Sequence, residues 1–503
     1  MADGSGEVSH LAEPSPAEPA QASTIALPLA LATAICLVAY GALVVADRST
    51  GTLRGATTPT TLGFIGLAFV GYLAAARQAE RSPTIPWQLL WLAPIVFRLL
   101  LLATEPTLSD DVYRYLWDGH VLSNGVNPFS HAISSSELDG LAIPIRELAN
   151  NPDLSSPYLP TLQLLFAALS VIAPSNPLVM QVAMVGFDIA AALVIRKLLI
   201  AADLPPNRVL LYLWNPLVIV ESAHGAHFDS LLTFLLLAAI LSAVRPARNI
   251  TSPLALGLAT LTRPIPGLLA PVLWWNWNWV QRATFFLTLV VLLVPFGFGV
   301  SGWGLFGERT GAGVFGSARV YSAEFRFNAV VAQWLEGLTQ SVGVYSAISS
   351  GLVVVTLFAV WFVARPTGGV NKASGVDADD KPAPAEVRRI IRLATVPLAA
   401  YLVLTPVFHP WYLVSIIAVG LFLAPTPQEG RSRWLLVAPI AYLSATAPLS
   451  YLTYRDPNAF RELDWVRRVE WYPALTLAVI AVVVAVRIVA RPARAAQSED
   501  LNS

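Results

Sequence analysis

Apolar residues along this chain fall in long unbroken runs rather than in alternation. Ile25 to Val45, Ala283 to Val300 and Ala474 to Val489 are examples. A run of about 20 apolar residues crosses a bilayer as a helix, and only helices or closed barrels satisfy their backbone groups there. Barrel strands alternate in segments of about 10 residues, which is not the pattern here. The runs therefore predict an all-α polytopic membrane protein. About fifteen apolar segments can be marked, at 25–45, 60–77, 86–103, 158–174, 178–200, 207–222, 228–244, 251–262, 264–279, 283–300, 342–364, 390–408, 412–424, 433–450 and 471–490.

Charge sets the expected orientation. Lys and Arg concentrate between Arg365 and Arg392, between Arg196 and Arg208, and at Arg487, Arg491 and Arg494. Cytoplasmic loops carry such an excess, so the stretches 104–157, 301–341 and 451–469 are expected outside. If 158–174 and 178–200 both crossed fully, the basic stretch after Arg196 would fall outside, so 158–174 is read as a short or re-entrant segment. That leaves about fourteen crossings within a transmembrane domain at 25–490, with both termini cytoplasmic. Residues 1–24 are acidic, rich in Pro, Ala and Ser, and lack the basic start of a signal peptide. They are expected to form a disordered cytoplasmic tail. Residues 366–386 read as a flexible cytoplasmic linker and 491–503 as a second tail.

Composition narrows the function classes. Net charge is zero, and nothing points to nucleic acid. The single cysteine, Cys36, excludes an internal disulfide. No Walker loop or HExxH motif occurs, and Gly302, Gly304, Gly307, Gly311 and Gly313 follow no strand-like stretch, so a dinucleotide fold is not indicated.

Charged residues make up only 13% of the chain, against a usual figure of about 25%, so clusters of them stand out. The segment Ser109 to His120 follows an apolar run and holds Asp110, Asp111, Arg114, Asp118 and His120. Asp111, Tyr115 and Asp118 share one face if this segment is helical. A site at the mouth of the bundle is one reading. Acidic residues also suit the first turn of a helix, so a solvated loop helix is the other. Glu221, His224, His227 and Asp229 gather at a helix–helix turn, where they suit a metal, a polar ligand or simple hydration. Arg263, before Pro264, interrupts an apolar stretch. A lone guanidinium at membrane depth is usually functional and matches phosphate oxygens in a bidentate way; snorkelling is the alternative. His409-Pro410-Trp411-Tyr412 forms a tight turn whose aromatics are also common interfacial anchors.

In order along the chain stand Ser109-Asp110-Asp111-Val112-Tyr113-Arg114-Tyr115, Gly125 to Phe129, Tyr158-Leu159-Pro160-Thr161-Leu162-Gln163, Trp214-Asn215-Pro216-Leu217, Glu221, Gly225-Ala226-His227-Phe228-Asp229, Arg263-Pro264, Phe325-Arg326-Phe327-Asn328 and His409 to Tyr412. This series resembles the GT-C superfamily of polytopic glycosyltransferases, and most nearly its bacterial mannosyltransferases around glycosyltransferase family 87. Leu159 stands where the family has proline, and Arg263 where lysine is common.

The resemblance implies a GT-C type bundle of about 13–15 membrane helices with a helical outer catalytic loop at 104–157. It implies inverting transfer of a sugar, of the mannose type, from a polyprenyl-phosphate donor. The acceptor would be a hydroxyl of a lipid-linked or cell-envelope glycan, on the extracytoplasmic face of the plasma membrane. Asp110 and Asp111 are then the catalytic acids, with Asp110 favoured as base and Asp111 orienting the acceptor or a divalent cation such as Mg or Mn. The substrate-binding residues would be Arg263, Arg114, Tyr113, Asp118, Tyr158, Gln163, His227, Asp229, Arg326, Asn328 and His409. A transporter or flippase of a lipid-linked glycan is the rival reading. It calls for ionisable residues near mid-membrane, where Arg98 and Arg263 are the main examples, and no strong internal repeat supports it.

Overall fold

The computed structural model describes residues 18–81, 85–244, 249–297, 312–365, 383–425, 429–455 and 462–500. Among them there is no strand, only one isolated parallel bridge between Phe327 and Val407. Six helices are long and apolar enough to cross a membrane: Leu27–Thr50, Gly55–Arg81, Pro177–Ala201, Trp279–Gly297, Val342–Val363 and Asp464–Ala485. The pair Pro216–His224 and Asp229–Ala243 makes a seventh span if taken together, bent by 117°. On Val342–Val363, Val355, Phe358 and Phe362 are exposed, as expected of a surface that faces hydrocarbon. The chain is an all-α polytopic membrane protein.

Fewer unbroken crossings are present among the described residues than the apolar runs suggested. The run 207–222 is split at Asn215-Pro216. Thr251–Thr260 is only 10 residues long and gives way to the 3-10 turn Ile265–Leu269. Pro160–Ile172 has 13 residues, short of a full crossing. Proline removes a backbone donor and breaks a helix, and buried short helices read like spanning ones on hydropathy alone. The terminal expectations also change. Helix α1, Glu18–Thr50, begins inside the stretch read as a tail, and the last helix, Asp464–Asp500, runs through most of 491–503. Both regions are alanine-rich, and alanine is the best helix former. Most of the expected linker, 366–382, lies outside the described residues, as do 1–17.

Helices α1 and α2 (Thr58–Arg81) form a close antiparallel pair. A Cβ on Gly71 would lie 2.6 Å from the Cys36 sulfur and 2.9 Å from the Ala32 carbonyl oxygen. Small residues at such a seam let two membrane helices approach, which is the role of Cys36. Helix α3 spans Gln88–Leu101. Its Arg98 reaches Asp188 on α6, Pro177–Ala201, at 2.5 Å, and both side chains are 0% exposed. The same guanidinium donates to the carbonyls of Pro94 and Leu213 at 3.0 and 2.9 Å, and Ser222 donates to Asp188 at 3.2 Å.

The segment after α3 carries α4, Asp111–Ser123, which lies on α5, Pro160–Ile172. Any side chain at Gly119 would overlap the backbone of Phe166, so glycine is what lets the two helices touch. Ser170 on α5 donates to the Leu116 carbonyl at 3.1 Å. Next come α7, Pro216–His224, and α8, Asp229–Ala243. Helix α8 packs on α6 and on the apolar helix Pro410–Leu423. These broken helices and α4 meet at one end of the bundle.

Candidate active site

Asp110 and Asp111 open α4. Asp110 sits in the N-cap position, and its side chain is 45% exposed. Its carboxylate is 3.6 Å from the guanidinium of Arg54. Asn150 ties the two acids together, donating to Asp111 at 2.7 Å and to Asp110 at 3.3 Å. Asp111 is half-buried. Burial pushes its carboxyl up from the ordinary range, and the Asp110 charge adds to this; His227, the Asn150 hydrogen bond and Arg263 pull the other way. Asp111 therefore feels both the histidine and the arginine of the broken helices.

Those helices shape the second half of the site. Helix α7 closes in a π-helical turn, Val220–His224, and the chain reverses through Gly225 and Ala226, the latter at φ 54°. The reversal delivers His227, Phe228 and Asp229. Glu221 accepts hydrogen bonds from the Tyr451 hydroxyl at 2.9 and 3.0 Å, and its carboxylate lies 2.9 Å from Nδ1 of His227. That last contact is at ion-pair distance but off the line of an aligned hydrogen bond, so neither ring nitrogen of His227 has a hydrogen-bond partner. The His227 ring stacks on Trp411 at 3.8 Å, Trp411 on His409 at 4.3 Å, and His409 on Phe327 at 4.6 Å.

Arg263 completes this face. One guanidinium nitrogen donates to Asp229 at 2.8 Å. The group lies over the rings of Tyr412 at 4.1 Å and Phe228 at 4.8 Å, and cation–π contacts of this kind hold a guanidinium without consuming its N–H donors. Arg263 and Asp229 wall a narrow cleft whose other sides include Leu232, Ile265, Leu398 and Ile416.

The remaining residues named from the sequence fall into two further groups. Arg114 donates to Asp118 at 2.9 Å and to the carbonyls of Asn150, Asn151 and Leu154 at 3.0–3.3 Å. Asp118 also accepts from Ser156, to which Gln163 donates at 2.5 Å. This buried network fastens the segment 150–156 to α4. Burial raises the Asp118 carboxyl, and Arg114 opposes the shift. Tyr158 packs in a ring cluster with Tyr115 (5.0 Å) and Phe228 (5.6 Å), directly behind Arg263. Tyr113 is half-buried in the first turn of α4. Farther along, Arg326 pairs with Glu336 at 2.5 Å, and Asn328 donates to Glu470. Phe327 exchanges backbone hydrogen bonds with Pro406 and Phe408, at 3.2 and 2.8 Å, so this segment reaches the site through His409.

His224, suggested as a ligand, is fully used by the fold. Thr104 donates to the Leu101 carbonyl at 2.6 Å, so its oxygen accepts from His224 Nδ1 at 2.8 Å, while His224 Nε2 accepts from the Leu108 amide at 3.3 Å. Among the described residues no group of three or more His, Cys, Asp or Glu side chains is arranged to hold a metal ion.

Sequence reasoning passed over Arg54, Asn150 and Tyr451. Arg54 and Asn150 lie in polar stretches where one more polar residue carries no signal. Tyr451 is one aromatic among many apolar neighbours, 230 residues from its partner Glu221.

Residues 22–279 match the family model described as alpha-(1->6)-mannopyranosyltransferase, N-terminal domain. Alpha-(1->6)-mannopyranosyltransferase A of Mycobacterium tuberculosis (strain ATCC 25618 / H37Rv) is 24% identical over 414 residues, 75% of this chain and 74% of that protein. No solved structure matches. The matched stretch covers just over half of the chain and holds Asp110, Asp111, His227, Asp229 and Arg263. It follows that the chain is a membrane-embedded glycosyltransferase and belongs to the alpha-(1->6)-mannopyranosyltransferase family.

Proposed function

We propose that this α-mannosyltransferase takes its sugar from a polyprenyl-phosphate donor and passes it, with inversion, to a hydroxyl of a lipid-linked or cell-envelope glycan on the extracytoplasmic face. The observation that carries this reading is a guanidinium, Arg263, in a cleft where Leu232, Ile265, Leu398, Leu402 and Ile416 stand beside Asp229, Tyr401, Tyr412 and Ser415. A charged head beside an apolar groove suits an amphiphile, and a guanidinium suits its phosphate.

In this reading the acceptor hydroxyl attacks the anomeric carbon, and the bond from that carbon to the phosphate oxygen breaks. The departing phosphate takes the electron pair and is stabilised by Arg263, which is held ready by Tyr412 and Phe228. Asp110 takes the hydroxyl proton; its exposed carboxylate is the one an acceptor arriving from water meets first. Asp111, deeper and fixed by Asn150, positions the acceptor. A divalent cation at this acid pair would draw its remaining ligands from substrate or water.

Arg263→Ala should raise the apparent KM for the polyprenyl-phosphate donor and lower turnover, and Arg263→Lys should recover part of both. Unchanged donor affinity in Arg263→Ala would remove the residue from the site. Mannose transfer from a nucleotide sugar in lipid-free conditions would overturn the donor class.

A further inference from the structure

Arg263 does not wait for its anion alone. Asp229 occupies one edge of the guanidinium at 2.8 Å and is 2% exposed. Its second carboxylate oxygen, Oδ2, is buried and has no hydrogen-bond partner. Both side chains wall the same cleft. Any phosphate that reaches Arg263 must therefore share it with a resident carboxylate whose ion-pair partner among the described residues is Arg263 itself. Resting on the donor reading above, we propose that Asp229 is a charge discriminator: it lets Arg263 accept the singly charged sugar phosphodiester and disfavours the doubly charged monoester left after transfer.

The charge balance of the reaction makes this useful. A polyprenyl sugar phosphate is a diester with one negative charge. When the sugar leaves, the phosphate keeps the electrons of the broken bond and becomes a monoester. A phosphate monoester has a second pKa near 6, so it carries close to two charges at pH 7. The Arg263–Asp229 pair is neutral. With the donor bound the group carries one net negative charge, and with the product about two. A lone arginine would hold the product more tightly than the donor and stall on it. The neighbouring carboxylate repels the added charge and offsets much of that extra attraction. One additional unit charge repelled over a few ångströms, at an effective dielectric near 20, changes affinity by more than about tenfold. The Phe228 and Tyr412 rings hold the guanidinium plane, so Arg263 stays beside Asp229 while its remaining N–H donors serve the phosphate.

The test uses the full-length protein in lipid nanodiscs and two inhibitors of equal chain length, a polyprenyl monophosphate and its methyl diester. In Asp229→Asn inhibition by the monoester should strengthen roughly tenfold or more relative to inhibition by the methyl diester. Asp229→Ser, tested beside it should the first variant not fold, should shift the ratio in the same direction. An unchanged monoester-to-diester ratio in the folded variant would overturn the proposal. If neither ester competes with the donor, the phosphate site itself is misplaced, and the donor reading falls with this one.

Discussion

Two buried ion pairs built from the same two residue types behave as different devices. Arg98–Asp188 is 0% exposed on both sides, and its guanidinium also donates to two backbone carbonyls. Arg263–Asp229 is 15% and 2% exposed, its guanidinium makes one side-chain hydrogen bond, and aromatic faces rather than acceptors cover its plane. The first pair joins α3 to α6, and burial shuts its unspent groups, Arg98 Nη2 and Asp188 Oδ1, away from any ligand. The second keeps donors in reserve beside a cleft. A buried ion pair is weak evidence for stability by itself, since desolvation offsets much of the attraction. What separates structure from function here is how many of the arginine's hydrogens the protein itself consumes. Arg54–Asp110, at 28% and 45% exposure, extends the series to the rim, where water has access.

The largest effect is expected at that rim. Asp110→Asn keeps the side-chain size and removes the proton acceptor; turnover should fall about 10²–10⁴-fold, with donor binding nearly intact. Asp111→Asn should be milder. Near-normal transfer by both variants, in protein of verified fold, would sink the enzyme mechanism and revive the transporter reading. The next effect belongs to the innermost pair. Arg98→Ala strands the Asp188 charge with Ser222 but no cation beside it and should lower stability by roughly 3–5 kcal/mol, read as an earlier thermal transition in detergent. Replacing both members with apolar residues of similar volume, Arg98→Met with Asp188→Leu, should restore most of it. A double variant no better than Arg98→Ala would mean that the charges do more than hold α3 against α6. The smallest perturbation asks which side of the membrane the rim faces. In a Cys36→Ala background, cysteine at Ser135 should react with an impermeant thiol reagent in whole cells, and cysteine at Ser374 should not. The opposite labelling would invert the topology.

The parts legible in the sequence were those where polarity contrasts with its surroundings. Asp110 and Asp111 follow an apolar run, and Arg263 interrupts one, so the acid pair and the arginine proposed to hold phosphate could be named before any geometry. Membrane helices were equally plain as a class. Their number was not, because hydropathy does not distinguish a helix that crosses from the short broken pieces around Pro216 and Pro264. Partnerships were hidden for a related reason. Arg114 and Arg263 look alike as isolated cations, yet three loop carbonyls and Asp118 occupy the first. Asp188 sits in an apolar run that gives no hint of α3. The stack of His227, Trp411, His409 and Phe327 draws on segments whose proximity depends on long-range packing.

Tyr412, one of the two rings that cover Arg263, comes from the second half of the chain, as do Trp411 beside His227 and Tyr451 beside Glu221. A ribosome delivering this protein to the membrane makes Arg263 and Glu221 long before any of these lids exist. Until they arrive, the nascent first half holds a charged, half-built crevice open to lipid or water. Synthesis thus supplies the arginine before the rings that cover it. Two fragments divided between residues 365 and 383 would each insert as helices, but neither alone would own an active centre. Mixing them and watching activity return would time that covering step directly.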